Sequence, residues 1–77
     1  MNLEIVSPEK IIYSGKAESV TLPGFGGSFS ILDRHAPIVA ALKNGVLSYS
    51  VDGNNEELTI NGGFVEVKKN NISVCVE

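Results

Sequence analysis

The chain is 77 residues long, 43% hydrophobic, and carries nine acidic against six basic residues for a net charge of −3. That length makes one domain, and the apolar content suits a folded globule rather than a disordered tract. With no basic cluster longer than Lys68-Lys69, the balance argues against phosphate-backbone binding and hence against nucleic acid as a partner.

One cysteine makes no internal disulfide, which points to a reducing compartment. Residues 1–7 carry acid and alternate in polarity, unlike a signal peptide. No apolar run nears the roughly 20 residues of a membrane helix, so any link to a membrane is expected to run through a partner.

Leu3-Glu4-Ile5-Val6-Ser7 alternates and is β-branched, and Pro8 closes it as a first strand. Lys10-Ile11-Ile12-Tyr13 is a second, with Ser14-Gly15 as its turn. A third runs through Val20 and Leu22, and Pro23-Gly24 is expected to stop it. Phe29 and Ile31 share a face opposite Ser28 and Ser30 in a fourth.

Residues 38–42 are five apolar residues in a row. They fit a two-turn helix between Pro37 and Asn44-Gly45, or a strand covered on both faces. The period of two on every side favours the strand. Leu47, Tyr49 and Val51 then alternate with Ser48 and Ser50, Asp52-Gly53 marks a hairpin, and Leu58 and Ile60 alternate with Glu57 and Thr59. Gly62-Gly63 makes a turn or bulge before residues 64–68, and Ile72, Val74 and Val76 alternate with Ser73, Cys75 and Glu77. The expectation is an all-β fold, one compact antiparallel β-sandwich of about eight to ten short strands over residues 1–77.

The segment with the most unusual chemistry is residues 24–37. Three glycines in four positions permit close approach by another surface, and Asp33-Arg34-His35-Ala36-Pro37 forms a polar corner. His35 lacks a nearby nucleophile and reads as a corner or interface residue rather than a general base. Cys75, among valines, reads as a small buried or half-buried thiol. No ligand spacing suggests a metal. Gly24-Phe25-Gly26-Gly27 lacks the lysine and helix of a phosphate loop, and the scattered glutamates form no acid–base dyad. Lys68-Lys69 at a turn raises a swinging-arm lysine domain, whose flanking residues are absent. No catalytic, cofactor-binding or metal residue is assigned, and the residues alone describe an interaction module.

Several short motifs then occur in one order and spacing: Val6-Ser7-Pro8-Glu9, Tyr13-Ser14-Gly15, Leu22-Pro23-Gly24, Gly27-x-Phe29-x-Ile31, His35-Ala36-Pro37, Leu42-x-x-Gly45 and Gly62-Gly63-Phe64-x-Glu66-Val67. Together they resemble the amino-terminal β-sandwich domain of the epsilon subunit of bacterial rotary ATP synthases (the delta subunit of mitochondria). The resemblance implies a non-catalytic rotor part that couples rotation of the c-ring to the gamma subunit, peripheral on the cytoplasmic face of the membrane. It places the gamma-facing surface at Ser7, His35, Ala36, Pro37, Val39 and Leu42, and the ring-facing loop at Gly24, Phe25, Gly26, Gly27, Ser28 and Ser30.

Two departures matter. The ring-facing loop has none of the acids that family members often carry there, so its contacts are expected to be backbone and aromatic. The chain also stops before the helical hairpin that many members add, so no inhibitory role is expected of it. The rival from another class is a small-ligand or carbohydrate-binding sandwich with Phe25 or Tyr13 as its aromatic platform. A hydrolase would need Cys75 beside His35.

Overall fold

The computed structural model describes all residues, Met1–Glu77. Nine strands follow in chain order: β1 Asn2–Val6, β2 Ile11–Lys16, β3 Ser19–Gly24, β4 Gly27–Leu32, β5 Ile38–Leu42, β6 Gly45–Val51, β7 Asn54–Ile60, β8 Gly63–Lys68 and β9 Asn71–Val76. They form one sheet of order β2-β1-β9-β8-β5-β3-β6-β7, with β4 on the other edge of β3. The sheet curls into two layers, a five-stranded one (β2-β1-β9-β8-β5) and a four-stranded one (β4-β3-β6-β7). They meet where β3 crosses over: residues 19–21 pair with β6, while Gly24 pairs with Leu42 of β5.

Alternation decides the inside. Leu3 and Ile5, Ile72 and Val74, and Val65 and Val67 point inward from the five-stranded layer, to meet Val20, Leu22, Ile31 and Leu47 from the other. No polar side chain is buried, so no hydrogen-bonding cost is set against this apolar contact. Two hairpins use the left-handed conformations that tight turns demand, Asp52-Gly53 (φ 51° and 78°) and Lys69-Asn70 (φ 51° and 63°).

The strand assignment of residues 38–42 holds, but both-sided cover does not: Val39 and Ala41 lie on an open face. Ser14-Gly15 is not a turn. Gly15 is paired with Leu3 inside β2, and the Tyr13 ring crosses it so closely that a Cβ there would lie 2.9 Å from Oη. Pro23-Gly24 does not end β3 either. Pro23 sits where β3 leaves β6, so its missing N–H costs no ladder bond, and its carbonyl accepts from Lys43 N–H at 2.9 Å. Finally, the sheet is not wholly antiparallel, because β1 and β9 run parallel. They lie far apart in sequence, so no tight turn imposes opposite directions on them.

Candidate docking surface

The pairing registers place β-strand residues in rows across the outer face of the five-stranded layer. Ala41 faces Phe64, Phe64 faces Cys75, and Cys75 faces Val6, which pairs with Ile11 across a bulge. This row is apolar throughout and open to solvent, with Phe64 61% and Ile11 63% exposed. The next row is Val39, Glu66, Ser73, Glu4 and Ser14, and beyond it lie Lys68, Asn71, Asn2 and Lys16. The face thus grades from apolar through acidic to amide and basic.

Phe25 caps the apolar end. Gly24 pairs with Gly27 to close the β3–β4 hairpin, leaving Phe25-Gly26 as its two-residue tip. Gly27 takes φ 122°, open to glycine, and Phe25 stands 73% exposed. A recess of about 380 Å³ joins Phe25 and Ala41 to Phe64 and Asn61. A second, of about 280 Å³, joins Phe64 and Cys75 to Val6, Ser7 and Pro8. Ser7 holds the β1–β2 turn, its N–H donating to Lys10 O at 2.9 Å and its Oγ accepting from Lys10 N–H at 3.3 Å.

The polar corner lies at the opposite end. Arg34 adopts φ 62°, and its N–H donates to Asn70 Oδ1 at 3.1 Å. His35 N–H donates to Leu32 O at 3.2 Å, and its Nδ1 lies 2.7 Å from Ala36 O, which requires the proton on that nitrogen. The Asn70 side-chain hydrogen bond holds the Asp33 carboxyl below its ordinary 3.8. Partial desolvation opposes this, and the Met1 amine and Arg34 assist it. Burial is the main reason that the Tyr49 phenol is pushed above 10.0, with Glu56 adding to it.

The twelve residues singled out from sequence spread over both ends of the outer face, the hairpin tip and the core. Ser7 and Phe25 share one end, while His35, Ala36 and Pro37 sit at the other and Val39 lies between on the outer face. Leu42 is only 3% exposed and belongs to the core, because its parity matches Ala40 and opposes Val39. Gly24 is buried too, with room for a Cβ only 2.8 Å from the Phe29 ring. Gly26, Gly27 and Ser28 are exposed at the tip. Ser30 points from the other layer, where its Oγ lies 2.9 Å from Thr21 Oγ1.

Cys75 is exposed rather than buried, since its side chain follows the parity of Ser73 and Glu77. Its register partner Phe64 is at the tip end of β8, whereas the His35 corner precedes Ile38 at the other end. The two do not meet, and no three His, Cys, Asp or Glu side chains gather as a metal site. Tyr13 is no platform: its ring packs on Tyr49 with centroids 4.8 Å apart, and its hydroxyl donates to Lys16 O at 2.6 Å. Sequence reasoning missed Phe64, Val6 and Ile11 as surface. The parity of Phe64 with Glu66 and Lys68 carried the signal.

Fold and surface together define a small all-β sandwich domain with an open apolar face. The chain belongs to the ATP synthase delta/epsilon chain family, whose β-sandwich domain matches residues 1–77. It is similar to the ATP synthase epsilon chain of Leptospira borgpetersenii, 42% identical over 77 residues, which is all of this chain and 61% of that relative. It is also similar to that of Afipia carboxidovorans, 37% identical over 76 residues, covering 99% and 56%. The chain thus spans about three fifths of these relatives' length.

Its fold is shared with a chain in the cryo-EM structure of the Euglena gracilis mitochondrial ATP synthase OSCP/F1/c-ring assembly. There the TM-score is 0.91 at 21% identity, over 96% of this chain and 48% of that one. A chain of the Tetrahymena thermophila mitochondrial ATP synthase central stalk/c-ring structure gives 0.84 at 19%, over 97% and 61%.

Proposed function

We propose that this chain is a non-catalytic rotor element of a proton-translocating ATP synthase, seated between the gamma subunit and the c-ring. It has no catalytic residues of its own and serves the enzyme as an accessory subunit. In this reading it sits on the cytoplasmic face of the membrane, which it meets only through the complex; no helix of the fold is long and apolar enough to cross a membrane.

The observation that carries this reading is the open apolar row Ala41–Phe64–Cys75–Val6 continuing to Phe25. Surface of that kind on a small domain marks a protein contact. Gamma takes the outer face, through Val39, Phe64 and the loops at Ser7 and at His35, Ala36 and Pro37. The ring loops take the uncharged tip at Phe25, Gly26, Gly27 and Ser28. A stiff sheet held at both ends transmits torque without slipping, because contacts away from the rotation axis each oppose a relative turn. Burying an exposed Phe or Val contributes about 1.5–3 kcal/mol per side chain, enough in combination to hold such a seat.

The test is reconstitution of an ATP synthase stripped of this subunit. Wild-type chain is expected to rebind and restore proton-coupled ATP synthesis, and Phe64→Glu is expected to weaken rebinding by at least about tenfold while its melting curve is unchanged. Rebinding of Phe64→Glu with wild-type affinity refutes the seat.

A further inference from the structure

The acidic side chains stand almost entirely at turns, at strand ends or on the β7 edge. Only Glu4 and Glu66 lie on interior strands, β1 and β8. Both are exposed on the outer face of the five-stranded layer, in the row next to Phe64 and Cys75. Their cross-strand neighbours carry no charge: Glu66 lies between Val39 and Ser73, and Glu4 between Ser73 and Ser14. A solvated sheet face commonly sets opposite charges side by side, yet neither glutamate joins an ion pair, the one in the structure being the Met1 amine with Asp33. Lys68 and Lys16 stand one row further out, at its two ends, with Asn71 and Asn2 between them.

The spacing suits one shared cation. Ser73 occupies the place between the glutamates, whose backbones are two strand spacings apart, about 10 Å. A guanidinium set above Ser73 spans that gap when the two side chains lean toward it, and its fork of N–H donors meets both carboxylates and the Ser73 hydroxyl. Along β8 this row is two residues from Phe64, about 7 Å. On a helix, side chains three or four apart lie about 5–6 Å from one another, so a turn resting on Phe64 and Cys75 brings a residue of the next turn over Ser73. A helix also suits this face better than a strand does. The backbone groups of β8 and β9 are spent on their neighbours in the sheet, so an extended segment laid across them leaves its own unmet, whereas a helix satisfies its own.

We infer that the gamma subunit seats an amphipathic helix along β8 and β9. Its apolar turn fills the two recesses beside Phe64, and an arginine one turn further on is held jointly by Glu66 and Glu4 over Ser73. Charge-assisted bonds to two carboxylates select arginine at that place, and the apolar turn supplies the buried area. This rests on the proposed seat in the rotor and specifies the chemistry of the gamma surface that fills it.

Reconstitution of an ATP synthase stripped of this subunit tests it. Glu66→Gln and Glu4→Gln remove charge at nearly constant size on exposed positions, so their melting curves are expected to match wild type. Each is expected to rebind at least about tenfold more weakly, and the double variant to lose most of the salt dependence of wild-type rebinding. Glu57→Gln, on the other layer, is expected to rebind normally. Photo-crosslinking from p-benzoylphenylalanine placed at position 64 and, separately, at position 39, one row away, is expected to mark gamma residues three or four apart, as on one face of a helix.

Normal rebinding by the folded double variant overturns the shared arginine and leaves the rotor seat standing. Cross-links to gamma residues two apart overturn the helix, and cross-links to another subunit in place of gamma overturn the choice of partner. Failure of the wild-type chain to rebind, or wild-type affinity in Phe64→Glu, removes the seat and the helix together.

Discussion

Gly63→Ala is expected to bring the domain close to unfolding, and the reason can be worked from the backbone. Gly63 pairs with Val76 on one side and Leu42 on the other, at φ 151°. A Cβ there would lie 2.1 Å from the Cys75 carbonyl oxygen and 3.0 Å from Val76 Cα, both main-chain atoms that no rotamer change can move. Relief requires β8 and β9 to separate at their tip end. A side chain in that region of φ/ψ costs about 1–3 kcal/mol and overpacking about 1–3 more, so the substitution costs about 4 kcal/mol. At about 0.05–0.15 kcal/mol per residue, a domain of this size has only about 4–12 kcal/mol to lose.

The assay is urea unfolding followed by far-UV circular dichroism. With a slope of about 1–1.5 kcal/mol/M, the midpoint should fall by about 3 M, or the variant should be unfolded at the outset. Gly26→Ala is the control, since nothing lies within 4 Å of a Cβ there and its midpoint should stay put or rise slightly. A Gly63→Ala midpoint within about 1 kcal/mol of wild type would falsify the steric argument.

Three further outcomes are expected. Leu42→Ala should destabilise by about 2–5 kcal/mol, as for a buried leucine; Val39→Ala, three residues earlier on the open face, should change stability by under about 0.5 kcal/mol, and thermal melts separate the two. Glu18 clasps the β6–β7 turn, its carboxylate accepting from Asp52 N–H at 2.7 Å and Gly53 N–H at 3.1 Å. Glu18→Ala should therefore cost about 1 kcal/mol, with faster exchange of those two amides as the readout. Asp33 has a depressed folded pKa through Asn70, so its contribution is present above its unfolded pKa and lost as pH falls through the folded one. Wild type should lose urea stability between about pH 5 and pH 2 more steeply than Asp33→Asn or Asn70→Ala, and equal slopes in all three would remove Asp33 from the account.

Period-two alternation made most of the strands legible, because which side of a strand is apolar is a local property. Leu47 and Tyr49 against Ser48 and Ser50, or Ile72 and Val74 against Ser73, read the same in sequence and in space. The Asp52-Gly53 hairpin was legible for the same reason, since its left-handed φ values are a demand on those two residues alone. Family membership was legible too, carried by the ordered motifs rather than by any one of them.

Contacts between distant residues decided the rest. Gly15 looks like a turn until the Tyr13 ring is seen to cross it, and Pro23-Gly24 looks like a stop until Lys43 and Leu42 arrive to pair there. The five apolar residues of β5 cannot say by themselves that Leu42 goes inside while Val39 stays out, because that depends on which layer covers which face. Likewise, the run from Ala41 through Phe64 and Cys75 to Val6 exists only through three pairing registers. A chain specifies the two sides of each strand locally, but long-range pairing selects its neighbours, and a docking surface is made of neighbours.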